Sequence, residues 1–135
     1  MQKRVVSNKK IELQTKHTYG MFEKGLKFFI KYYFVKNFYF DLKKRLEFYR
    51  IIRTFTQNGI SIQTSLRLYG DMIKKYNNDT SMKFLVDDIL RMMSNGARFE
   101  RAIAFWVPEQ ESAIIEASSQ DVANACEVVT NFAEN

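Results

Sequence analysis

The chain has 135 residues, 46% hydrophobic and 15% aromatic, which is enough apolar material for one domain with a modest core. Its single cysteine, Cys126, excludes an internal disulfide and points to a reducing compartment. The net charge of +6 is unevenly spread: residues 1–53 carry 14 Lys/Arg against 4 Asp/Glu, whereas residues 54–135 carry 7 against 11.

Residues 1–20 are polar and basic with no sustained period, so a basic arm is expected there. The start runs into polar Ser7 to Thr18 instead of an apolar core, so no cleavable secretory signal is expected. From Met21 to Asn37 the spacing predicts a helix with Lys24, Lys27 and Lys31 near one face and Phe22, Leu26, Phe29, Ile30, Tyr33 and Phe34 on another. Such a helix suits an anionic membrane surface, with Lys24, Lys27 and Lys31 at the headgroups. A packing helix with snorkelling lysines fits equally well, and both readings stand. The most apolar stretch, Leu26 to Phe40, is interrupted by Lys27, Lys31, Lys36 and Asn37. It is too short for the roughly 20 apolar residues a spanning helix needs.

Asp41 is placed as an N-cap for a helix from Leu42 to Gln57, whose stripe is Phe48, Ile51, Ile52 and Phe55. Asn58-Gly59 comes next. Between strands this pair would signal a tight hairpin, but after a helical stripe it supplies the left-handed residue that ends a helix. A second helix is expected from Ile62 to Tyr76, with Ser61 as its cap and Ile62, Ser65, Leu66, Tyr69, Met72, Ile73 and Tyr76 as its stripe. Asn77 to Thr80 offers capping oxygens for a third helix, Ser81 to Ser94, which also ends in Asn-Gly, at Asn95-Gly96. A short fourth helix covers Arg98 to Phe105. Pro108 suits the first turn of a fifth helix, to Ala117, where Glu109 and Glu111 favour the positive end of the dipole. Ser118 to Asp121 then caps a sixth helix that runs to Ala133. The expected fold is all-α: an antiparallel six-helix bundle over residues 41–135, preceded by a basic, aromatic arm or helix over residues 1–40.

Little in the chain points to catalysis. His17 and Cys126 are far apart, His17 lies in the polar arm, and Cys126 falls between Val122 and Val129 on a helix, as a buried structural cysteine would. Zinc-ligand spacing and a phosphate-binding GxxxxGK[ST] loop are absent. Adjacent Asp87 and Asp88 point in different directions on a helix, Glu109 and Glu111 are accounted for as dipole partners, and Asn77-Asn78-Asp79 lacks the glycine and distal glutamate of a calcium hand. The expectation is a protein that is not an enzyme and uses no cofactor or metal. The basic, aromatic first portion leaves a helical nucleic-acid-binding module as the alternative, although no recognition signature for RNA or DNA supports it.

The two Asn-Gly pairs lie 37 residues apart, and each glycine is followed by two residues, a large apolar, two residues, a small residue and a large apolar. The first copy supplies Gly59, Ile62, Ser65 and Leu66, and the second Gly96, Phe99, Ala102 and Ile103. With Phe55, Leu85, Ile89, Pro108, Glu116 and Ser118, these residues resemble the cytoplasmic domain of the type II secretion system F family, which includes the platform proteins of type IV pili. Phe48 to Ser118 carries the match. Ser65 stands where the family has alanine, and Ile115 and Ser119 stand where it has glycines.

The resemblance implies a non-enzymatic platform on the cytoplasmic face of the bacterial inner membrane. It would link an assembly ATPase to pilin assembly in type IV pilus biogenesis or type II secretion. It also implies transmembrane helices beyond Asn135 and a second copy of the domain. The matched residues would be fold-forming. The motor contact is then expected on Lys43, Lys44, Arg45, Arg50 and Arg53, and a homodimer is a further expectation.

Overall fold

The computed structural model describes residues 23–135, and these are all-α. The helices are α1 (23–40), α2 (Leu42–Gln57), α3 (Ile62–Met72), α4 (Thr80–Ser94), α5 (Phe99–Ile103), α6 (Glu109–Ala117) and α7 (Val122–Glu134), with a π-helical turn at Ile73–Asn77. The arm before residue 23, with Met21, Phe22 and His17, lies outside the described residues.

Two compact units divide the chain, Met1–Tyr33 and Phe34–Asn135. The second therefore begins inside α1, ahead of the expected start at Asp41. Phe38 explains this, because it is buried in the core and packs edge-on against both Phe48 and Trp106. Phe34 packs on Phe84 with ring centroids 4.9 Å apart. The last two turns of α1 thus belong to the main domain.

Local chemistry sets most of the helix ends. Asp41 accepts a hydrogen bond from the Lys44 amide, Ser61 from that of Thr64, Asp79 from those of Ser81 and Met82, and Asp121 from that of Asn124. Pro108 caps α6 from extended backbone (ψ 151°), one position earlier than expected. The expected helix Ile62–Tyr76 stops being α-helical at Met72. The π turn inserts an extra residue and rotates the chain along it, so Ile73 stays buried while Tyr76 is 76% exposed; Met72, just before the turn, is 42% exposed. Asn78, in left-handed conformation (φ 46°), ends the turn.

The core gathers Phe48, Tyr49 and Ile52 of α2, Leu66 of α3, Leu85, Val86 and Ile89 of α4, and Ile103 of α5. Trp106, Ile115 of α6 and Val129 of α7 complete it, and each of these is at most 1% exposed. The most extensive helix pairing is α2 with α7, followed by α6 with α7 and α3 with α4. Cys126 is buried on α7, and burial pushes its thiol up to about 12.

Candidate functional site

The duplicated sequence pattern is also a duplicated structure. At the first corner the Gly59 amide bonds to Thr56 O (3.1 Å) and the Ile60 amide to Phe55 O (3.1 Å). At the second the Gly96 amide bonds to Met93 O (3.0 Å) and the Ala97 amide to Met92 O (3.0 Å). Both are Schellman closures with glycine in the left-handed region, at φ 84° and 98°. Burial keeps the same offset. Arg45, Phe48, Tyr49, Ile52, Ser65, Leu66, Tyr69 and Gly70 are buried, and so are their counterparts Met82, Leu85, Val86, Ile89, Ala102, Ile103, Trp106 and Val107.

The motif residues divide by position. Ser65 and Ala102 are fully buried and small, and the Ser65 hydroxyl donates to Ser61 O at 2.8 Å, which removes the cost of burying it. Ile62 packs at the core edge, and Leu66, Phe99 and Ile103 lie inside. Glu116 is exposed and pairs with Arg101 at 3.4 Å, and Ser118 is the C-cap of α6. Apart from the corner glycines, Glu116 alone of the motif residues is exposed.

Behind the motif is a buried ionic cluster that sequence reasoning missed. Arg45 Nε donates to both Glu111 oxygens at 3.1 Å, Arg45 Nη2 lies 2.9 Å from Glu111 Oε2, and Tyr49 Oη donates to Glu111 Oε1 at 2.8 Å. Arg45 Nη1 donates to the carbonyl of Tyr39. Burial first, and then the Glu111 charge, raise the Tyr49 phenol well above its ordinary range. Two expectations change. Glu111 is the acceptor at the centre of a buried cluster as well as a first-turn acid of α6. Arg45, expected at a partner contact, is buried, and its guanidinium is spent inside the domain. The signal is present in the sequence, because Arg45 belongs to the stripe Arg45, Phe48, Tyr49, Ile52, and Glu111 shares a face with Ile115.

A second buried carboxylate holds the opposite side. Asp88 Oδ2 accepts from Trp106 Nε1 at 2.9 Å, and Asp88 Oδ1 from Arg91. Its neighbour Asp87 is exposed and pairs with Lys83 at 2.7 Å. The adjacent acids do diverge. No buried side-chain nitrogen or oxygen among the described residues lacks a hydrogen-bond partner.

The other residues expected at the motor contact are distributed along α2. Lys43 is exposed. Lys44 reaches Asp79 and Ser81, each at 3.3 Å. Burial alone would raise the Asp79 carboxyl, but the Ser81 hydroxyl, the Met82 amide and Lys44 outweigh it and hold the group below its ordinary value. Arg50 pairs with Glu134 at 2.5 Å and Arg53 with Glu127 at 3.3 Å, both across the α2–α7 seam. These two pairs are partly exposed and each contributes about 0–1 kcal/mol.

An open groove of about 240 Å³ lies between α2 and the π turn, with Glu47 and Ile51 on one wall and Tyr69, Ile73 and Tyr76 on the other. In the first compact unit, Lys24 and Lys27 are exposed on α1 and Lys31 is half-buried.

No group of three or more His, Cys, Asp or Glu side chains among the described residues is placed to hold a metal ion. No helix of the described residues is long and apolar enough to cross a membrane. No protein-family model, curated protein or solved structure matches this chain.

Proposed function

We propose that residues 34–135 form an antiparallel six-helix bundle that serves as a cytoplasmic domain of an inner-membrane platform protein. In this reading it is a non-enzymatic scaffold linking an assembly ATPase to pilin assembly in type IV pilus biogenesis or type II secretion. The observation that carries the reading is the pair of Asn-Gly corners, with the same hydrogen bonds and eight pairs of buried positions 37 residues apart. The spaced motif that the family resemblance rests on lies on those corners. Pro108 at the start of α6 and Ser118 at its end add to it.

The motor contact belongs on the exposed side of α2, at Lys43 and the partly exposed Lys44, Arg50 and Arg53; Arg45 is withdrawn from it. A nucleic-acid-binding role is the weaker alternative. Lys44, Arg45, Arg50 and Arg53 are four of the 14 Lys/Arg of residues 1–53, and all four are ion-paired within the chain, which leaves less charge for phosphates.

The test is affinity capture of a purified secretion or pilus assembly ATPase by this chain. Saturable capture that weakens on Lys43→Glu with Arg50→Glu is expected. An absence of capture, or capture indifferent to those changes, overturns the assignment or the placement respectively.

A further inference from the structure

We propose that residues 23–33 of α1 dock this protein on an anionic lipid bilayer, lying along its surface. At 100° per residue, Leu26, Phe29, Ile30 and Tyr33 share one helix face, and Phe28 and Tyr32 extend it on one side. Lys24, Lys27 and Lys31 form a separate stripe, and Glu23 is the one acidic residue of the segment. The apolar face is open to water: Phe28 and Phe29 are 68% and 69% exposed and Leu26 is 50% exposed. A contiguous exposed patch of this kind marks an interaction surface, because soluble proteins rarely leave one uncovered.

Charge and side-chain type select the occupant. Lysines beside the apolar face place ammonium groups where phosphates of an anionic headgroup layer would lie, with the rings and aliphatic side chains at the acyl boundary. Leu26 and Ile30 argue against a nucleic acid, since bases stack on aromatic planes and gain nothing comparable from aliphatic side chains. Length selects the orientation. Eleven residues span about 16 Å at 1.5 Å each, about half the roughly 30 Å hydrocarbon core, so the segment lies on the bilayer and does not cross it.

The inference stands apart from the platform reading. Vesicle binding without ATPase capture leaves it intact, and ATPase capture without vesicle binding overturns it alone. The experiment is co-sedimentation of the full chain with vesicles of phosphatidylethanolamine and phosphatidylglycerol, against phosphatidylcholine vesicles, at low and high salt.

The expected result is partition onto the anionic vesicles that falls as salt rises. Lys24→Gln with Lys27→Gln weakens it roughly thirtyfold at low salt. Leu26→Asp with Phe29→Asp abolishes it while the urea midpoint of the chain holds. A Phe28→Trp variant shows a blue-shifted emission on binding. Three results overturn the proposal: no partition of the intact chain; partition sensitive to the lysine changes but not to Leu26→Asp with Phe29→Asp; or a concentration-dependent oligomer that shifts the Phe28→Trp emission without lipid.

Discussion

Arg45 on α2 and Glu111 on α6, 66 residues apart in sequence, meet in the interior with both carboxylate oxygens on one guanidinium nitrogen and a tyrosine hydroxyl on the same carboxylate. The pair ties α6 to α2, which α7 also packs against. Two buried charges in contact need not stabilise relative to apolar residues of the same volume, but either charge left alone is costly. Glu111→Ala or Arg45→Ala should therefore destabilise by about 3–5 kcal/mol, while Arg45→Met with Glu111→Leu should lie within about 1–2 kcal/mol of the parent. Urea unfolding of the four chains measures both. Two single variants that are each nearly neutral would show that the cluster is solvated in the native state.

Asp88 and Trp106 make a cleaner probe, because the indole reports on itself. Asp88→Ala strands the Trp106 N–H inside the core and should cost about 1–3 kcal/mol, whereas Asp88→Asn keeps an acceptor and should cost less. Trp106 is the chain's one tryptophan and is fully buried, so its fluorescence tracks unfolding directly. An Asp88→Asn loss as large as that of Asp88→Ala would mean that the charge, and not the hydrogen bond, is what the site needs.

The elements written in local chemistry are legible from the sequence. The Asn-Gly corners, the caps at Asp41, Ser61 and Asp121, the helix Leu42–Gln57 and the divergence of Asp87 from Asp88 each depend on residues within a turn or two of one another. Features set at a distance or by backbone register escape. Glu111 sits where a first-turn acid is expected anyway, which masks the burial that its spacing from Ile115 implies, and nothing local names its partner 66 residues earlier. The π turn defeats the 3.6-residue stripe at Tyr76, because periodicity assumes the register it is used to find. Phe38 reads as part of an arm because its lysine-rich neighbourhood outweighs one ring that packs on Trp106.

The two corner glycines should behave alike. A Cβ at Gly59 or Gly96 would meet nothing within 4 Å, so packing adds nothing and the backbone alone sets the cost. At φ 84° and 98° an alanine is strained by about 1–2 kcal/mol. Gly59→Ala and Gly96→Ala should each destabilise by about that much, agree within about 0.5 kcal/mol, and add in the double variant. Urea midpoints at constant slope check this. A marked inequality would mean that one corner relaxes and the other does not, which would break the equivalence of the two repeats.

Alkaline pH should unfold the domain through groups buried in their protonated forms. Burial raises the Cys126 thiol from 9.0 to about 12, and burial also raises the phenols of Tyr49 and Tyr69, with Glu111 and Glu47 respectively adding to it. A folded-state pKa above the unfolded one means that the native chain holds protons the unfolded chain releases. The stability these groups contribute is therefore complete below about pH 9 and is lost as pH rises through the folded values. The urea midpoint should be flat up to about pH 9 and fall steadily above it, and Cys126→Ala should flatten the first part of the fall. The same burial makes the thiol slow toward disulfide reagents at neutral pH, with labelling appearing as urea opens the chain. Rapid labelling of the folded protein, or a midpoint that stays flat well above pH 9, would show that Cys126 and the phenols titrate as exposed groups.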